Sequence, residues 1–154
     1  MVTPPVTTTP DITTTCPFCR IGNGTIPAHL VLDEPDVLAF LDQRPVFPGH
    51  VLLIPRRHYE TIADLPPDMI DPLFAAGQRV AAAVQTATGS DGTFMAINNV
   101  VSQSVPHLHL HIVPRKRKDG LRGFFWPRQR YPDDETMEAV AAAIRAALGT
   151  INRQ

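Results

Sequence analysis

The sequence predicts an α+β fold built on a mostly antiparallel five-stranded sheet with two main helices. Three observations predict it. Histidines alternate with aliphatic residues from His107 to Ile112, the period of a strand with two unlike faces. Two longer stretches, 66–88 and 134–148, space their apolar residues by three and four, the period of an amphipathic helix. The remaining short apolar runs do not alternate regularly with helices, as the strands of a parallel sheet would.

Taken in order, residues 1–13 are rich in Thr and Pro with almost nothing apolar to bury, which predicts a disordered tail. One histidine-bearing domain is expected over 14–150. His29–Leu32 and Val37–Leu41 are apolar runs separated by Asp33-Glu34-Pro35-Asp36, a turn cluster, and read as a hairpin. Pro45, Pro48 and Gly49 punctuate a loop, with Gly49 allowing close backbone approach, and His50–Pro55 reads as a buried strand. From Pro66 the helical stripe runs through Ile70, Leu73, Phe74, Gly77, Val80, Ala81 and Val84, with Gly89 placed to close it. Pro72 is expected in the first turn, where its missing N–H costs nothing. Thr93–Asn99 is a further strand leading into the histidine strand. The segment 115–131 is basic and aromatic, carrying half of the lysines and arginines and the run Gly-Phe-Phe-Trp at 123–126. The last helix carries Met137, Val140, Ile144 and Leu148 on one face and is expected to end at Gly149.

The chain has 154 residues, enough for one domain with a core. Its formal net charge is -1, which gives no reason to expect a nucleic-acid partner. No apolar run approaches the ~20 residues of a membrane-spanning helix, so no membrane partner is expected. No secretory signal pattern opens the sequence, and a cytoplasmic location is the expectation.

The chemistry concentrates in three places. His107, His109 and His111 share one strand face, neighbouring imidazoles lying roughly 6.6 Å apart at strand rise. An imidazole offers one donor and one lone pair and titrates near neutrality, so such a row suits ligation, nucleophilic attack or proton transfer. A merely polar, solvent-facing strand is the plain alternative. The only cysteines, Cys16 and Cys19, form a Cys-x-x-Cys pair able to grip zinc from one turn, with histidines completing a tetrahedron. A redox dithiol is the competing reading; it usually sits at a helix N-terminus in a βαβ setting, and neither is evident from sequence. Unliganded core thiols are the third. Lastly, Asn98-Asn99 and Gln103-Ser104 are uncharged donors just before the histidines, suited to phosphate oxygens or simply to a turn.

These stretches resemble the histidine-triad family of nucleotide-binding hydrolases and transferases. The His-x-His-x-His-x-x signature with hydrophobic x is complete at His107 to Val113, flanked by Gln103-Ser104-Val105 and by Pro114-Arg115. Leu38-Ala39-Phe40-Leu41-Asp42, Pro48-Gly49-His50 and Ile54-Pro55-Arg56-Arg57-His58 match as well, with Cys-x-x-Cys ahead of them. The resemblance implies that His109 is the nucleophile at an α-phosphorus, through a covalent nucleotidyl-histidine intermediate. It implies that His111 contacts phosphate or leaving group, and that His50 and Ser104 line the same site. Asp42 would hold the ribose hydroxyls, Phe18, Ile21 and Phe40 would wall the base, and Asn98, Asn99 and Gln103 would bind phosphate. The zinc-bearing branch implies Cys16, Cys19, His58 and His107 as ligands of a structural zinc. A purine nucleotide substrate, of dinucleoside polyphosphate or phosphoramidate type, and a homodimer are implied too.

The sequence departs from the family pattern in one loop. Where the family carries Asn-Gly and a Gly before Gln, Asn98-Asn99 here runs straight into Val100-Val101-Ser102, and the loop is short. Rival functions keep the same residues: a nucleotidyltransferase or phosphorylase acting through His109, or a nucleotide-binding module with negligible turnover. A catalytic metal shared by all three triad histidines is disfavoured, since positions i and i+4 of a strand lie roughly 13 Å apart.

Overall fold

The protein is described by a computed structural model over residues 12–121 and 129–151. The chain divides into two compact units, Met1–Asp119 and Gly120–Gln154. The first unit carries α1 (Ile12–Thr15), α2 (Pro17–Gly22), β1 (Leu30–Asp33), β2 (Val37–Leu41), β3 (Val51–Pro55), α3 (Pro67–Thr88), β4 (Gly92–Ile97) and β5 (Leu110–Arg115), with a 3-10 turn at Ile62–Asp64. Its sheet is five-stranded and antiparallel throughout, in the order β1-β2-β3-β5-β4. The α+β architecture expected from the sequence is the one observed.

Strand alternation divides the sheet into two buried faces. Val37, Ala39, Val51, Leu53, Leu108, Leu110 and Ile112 point to α3, where they meet Leu73, Ala76, Val80 and Val84. The other residues of the same strands, Leu38, Phe40, Leu52 and Ile54, pack against Cys16, Phe18 and Cys19. Each face takes alternate residues, so a one-residue slip of β3 would exchange them, and burial on both sides fixes the register. The hairpin tip is tied down by cations. Arg79 grips Glu34 with two bonds of 2.7 and 2.9 Å. Arg56 donates to the carbonyls of Glu34 and Gly22 at 2.6 and 3.0 Å and pairs with Asp33.

Gly49 has φ +96°, and a Cβ there would lie 2.6 Å from Thr88 Cγ2, so the close approach expected of it is real. Gly89 ends α3 in the left-handed conformation, its N–H bonded to the carbonyl of Gln85. In the second unit, α4 spans Asp134–Ile151, with Asp134 and Glu135 in its first turn, where the helix dipole favours acids. Met137, Val140 and Ile144 are exposed on it. Among the described residues, no helix is long and apolar enough to cross a membrane.

Several expectations are corrected. Residues 12 and 13 belong to α1, not to a structureless tail; residues 1–11 and the aromatic run 123–126 lie outside the described residues. Pro72 sits in the second turn of α3, inside the helix. The missing N–H deprives the carbonyl of Asp68, an exposed residue near the helix start, where water can replace it. Gly149 does not end α4, because one glycine weakens a helix without breaking it. The strand β5 begins only at Leu110, so His107 and His109 stand on its extended approach rather than within the ladder. The two-residue alternation nevertheless continues back through them.

The loop between β4 and β5 holds two non-glycine residues in the left-handed region, Val100 at φ 66° and Ser102 at φ 62°. For a β-branched residue such a φ is strained by ~1–2 kcal/mol, more than the ~0.5–1 kcal/mol by which a glycine loosens the unfolded chain. Val100 is 75% exposed and loses no packing on replacement. Val100→Gly is therefore expected to stabilise the protein by roughly 0.5–1 kcal/mol, read as a higher urea midpoint at unchanged slope; a lower midpoint would contradict the strain.

Candidate active site

The chain enters its fold through a short helix that carries both cysteines. Cys16 is the N-cap of α2 and Pro17 its first helical residue, a position where a missing N–H is harmless. Cys19 follows one turn later on the same side, so both thiols face inward and are buried. This corrects the expectation that no helix N-terminus accompanies the pair. Cys16 Sγ and Cys19 Sγ each lie 3.5 Å from His107 Nδ1, and Cys19 Sγ lies 3.4 Å from His58 Nδ1. One ligand atom from each of the four residues falls within 4.8 Å of every other. Zinc–sulfur and zinc–nitrogen bonds of ~2.3 and ~2.0 Å in a tetrahedron set ligand atoms roughly 3.5 Å apart, so these four fit zinc. His107 is wholly buried and donates from Nε2 to the carbonyl of Pro55 at 2.8 Å, which leaves Nδ1 as the lone-pair atom facing the thiols. Burial pushes its pKa down to about 4, with His58 and His109 adding to the effect, so the ring is neutral and ready to ligate.

On the same face of the sheet a cleft of about 700 Å³ opens beside this cluster. Phe18, Ile21, Ile26, Phe40, Leu41 and Leu52 give it an apolar wall; Asp42, Ser104, His109 and His111 give it polar chemistry. His109 Nδ1 donates to the backbone carbonyl of His107 at 2.6 Å, which in the neutral ring leaves the lone pair on Nε2. His50 Nδ1 accepts the N–H of Val46 at 3.2 Å and lies 3.5 Å from Asp42 Oδ2. The Val46 N–H is a fixed donor and decides the tautomer: His50 Nε2 carries the proton and donates to His111 Nδ1 at 3.0 Å. His111 must then carry its own proton on Nε2. Burial lowers the pKa of both rings, that of His111 to about 4, with His109 and His50 adding and Asp42 opposing. Asp42 is held in place by the N–H of Arg44 on Oδ1 at 2.8 Å.

The structure thus brings Phe18, Ile21, Phe40, Asp42, Ser104, His109 and His111 to one cleft, with His50 directly behind His111. It gathers Cys16, Cys19, His58 and His107 in a second cluster. No cluster among the described residues collects all three triad histidines; His107 belongs to one, His111 to another with Asp42 and His50, and His109 to neither. Asn98, Asn99 and Gln103 are not among the cleft residues. Asn99 accepts the N–H of Ile62, while Gln103 accepts the N–H of Val100 and donates to the carbonyl of Glu60, so both amides brace the loop. Sequence reading missed His29, Gln43 and Arg44, which form the polar rim. The signal for His29 lay in the hairpin: its carbonyl accepts the N–H of Leu41, which sets it beside Asp42.

A small α+β domain thus sets His109 and His111 in a largely apolar cleft beside a closed thiol–imidazole cluster. The HIT domain profile matches residues 23–118, and the chain belongs to the HIT family. An uncharacterized HIT-like protein of Mycobacterium tuberculosis is 36% identical over 138 residues, covering 86% of this chain and 92% of that one. The adenylylsulfatase HINT3 of Arabidopsis thaliana is 35% identical over 108 residues, 69% of this chain and 55% of that protein. A zinc-bound histidine triad protein of Mycobacterium smegmatis superposes with a TM-score of 0.68 at 35% identity, covering 92% of this chain and 98% of that one.

The lowered pKa of His111 has a stability consequence. An unfolded His111 takes up a proton as pH falls through 6.5, and the folded one refuses it until about 4. The unfolded state therefore binds more protons in that window, and stability falls as pH falls from 6.5 towards 4. His111→Asn, which does not titrate there, is expected to flatten that part of the profile in urea unfolding series at stepped pH. An unchanged slope would refute the assignment.

Proposed function

We propose that this HIT protein hydrolyses the α-phosphate bond of a nucleoside phosphate derivative through His109. The observation that carries this reading is the bond from His109 Nδ1 to the His107 carbonyl, which presents Nε2 as a free lone pair in an apolar cleft. His109 Nε2 attacks the α-phosphorus, forming an N–P bond as the bond to the leaving group breaks. His111, neutral in the cleft, donates a hydrogen bond from Nε2–H to the departing oxygen, which takes up the charge of the breaking bond and leaves as an anion. Water then opens the N–P bond and releases the nucleoside monophosphate. The apolar wall of Phe18, Ile21 and Phe40 suits a flat purine base, and Asp42 suits the ribose hydroxyls. Ser104, on the cleft lining, supplies a donor to phosphate oxygens. The activity named for the Arabidopsis relative supports a hydrolase acting on an adenylyl derivative. An acceptor other than water would make the same intermediate a transferase step. Exposed Ile70, Phe74 and Met95 offer apolar surface for the expected homodimer.

Cys16, Cys19, His58 and His107 would hold one zinc per chain, a reading supported by the fit of their spacing and by the zinc-bound relative. With four protein ligands it leaves no open position and supplies structure, not a Lewis acid. Stripping the metal with a chelator is expected to lower Tm by on the order of 10 °C, and elemental analysis of untreated protein to give one zinc per chain. Metal-free protein with both thiols freely titratable in the native state would reject the site.

His109→Gly is expected to abolish turnover while leaving the fold and nucleotide binding nearly intact. Wild-type protein quenched during turnover of an α-phosphorus-labelled substrate should carry acid-labile, base-stable label on His109. Full activity in the variant and no label on wild type would overturn the reading.

A further inference from the structure

Phe18 lies between the two cysteines in sequence and touches both halves of the site in space. Its ring meets His109 edge-on, centroids 5.2 Å apart at 85°, and meets His107 at 5.9 Å and 65°. Phe40 backs it at 5.4 Å and 67°, and the side chain is 8% exposed. The bond from His109 to the His107 carbonyl fixes one atom of the imidazole and leaves the ring able to tilt about that bond. Two rings oppose the tilt: Phe18, and His111 at 4.8 Å and 67°. His111 is itself tethered to His50, and Phe18 is set by the first turn of α2. The direction of Nε2 therefore depends on Phe18 as much as on the hydrogen bond.

We propose that Phe18 is a positioning residue for His109, its ring edge holding the imidazole in the orientation that aims Nε2 into the cleft, in addition to walling the base. This rests on the reading of His109 as the nucleophile. The two roles of Phe18 separate in kinetics. A base wall binds ground state and transition state alike, so losing it raises KM and leaves kcat unchanged. Losing an orienting contact lowers kcat, because reacting atoms misaligned by a fraction of an ångström lose rate steeply.

The test compares zinc-loaded wild type with Phe18→Leu, which keeps an apolar side chain on the same turn but no ring. Phe18→Met serves as a second variant should the first not fold. Retention of one zinc per chain certifies the fold. The expected result is a fall in kcat of about 10- to 100-fold, beside any rise in KM that the lost base wall causes. A raised KM at unchanged kcat overturns the proposal and leaves Phe18 as base wall alone. A second readout needs no substrate: NMR of histidine-labelled protein. Wild type should show contacts between the Phe18 and His109 rings, and the variant broadened or doubled His109 signals beside unchanged His107 signals. Sharp, single His109 signals in the variant overturn the proposal too. Absence of turnover in wild type on every nucleotide derivative would refute the hydrolase reading, and the NMR comparison would still decide the role of Phe18.

Discussion

A single 2.6 Å hydrogen bond, from His109 Nδ1 to the carbonyl of His107, joins the structural half of this protein to its chemical half. The same residue serves both sides. The side chain of His107 turns towards two thiols and its outer nitrogen is fixed to Pro55, while its main chain sets the tautomer of the next histidine. Two residues on, backbone alternation returns the next imidazole to the cleft rather than to the α3 face. Everything else follows from keeping that short segment still. The α3 core packs under Leu108, Leu110 and Ile112, the pairing with β3 sets its register, and Tyr59 receives the N–H of Leu108 at 2.6 Å.

Burial is the second constraint. Desolvation lowers the pKa of three of the six histidines, His50, His107 and His111. In water a row of imidazoles would be partly cationic near neutrality and mutually repulsive. Here desolvation holds His50 and His111 neutral, and the hydrogen-bond chain from Val46 through His50 to His111 gives each nitrogen a defined role as donor or acceptor. Neutral rings with assigned tautomers differ from a cationic patch: they hold an anionic group by directed hydrogen bonds, and salt screens such bonds less than it screens a charge.

Much of this was legible in the sequence because its periods were strong. The strand alternation of 107–113, the stripe of α3 and the turn cluster at 33–36 each predict an element that the structure contains. The four members of the thiol–imidazole cluster were nameable from residue type and family pattern, since few side chains suit that geometry. What escaped were features without period. Six residues of α2 are too short for a helical stripe, and the start of β5 depends on hydrogen-bond pairing that side-chain pattern does not report. The amides of Asn99 and Gln103 were expected to face a ligand; donors and acceptors alike, they serve the backbone of their own loop equally well. His29, Gln43 and Arg44 reach the rim through the hairpin register, which no local motif announces.

The docking of α2 has a topological side. Cys16 and Cys19 meet His107 across sequence separations of 91 and 88 residues, and Cys19 meets His58 across 39. The helix closes over a sheet whose strands all follow it in the chain. A bond network at that place, whether thiol to imidazole or through a shared ion, behaves as a reversible cross-link enclosing most of the domain. Closing loops of that length removes a large part of the freedom of the unfolded chain, and the cost of doing so grows only with the logarithm of their length. The six-residue helix thus acts as a clasp: while it is shut, the strands it spans cannot separate far, and local opening of the sheet is confined to its edges.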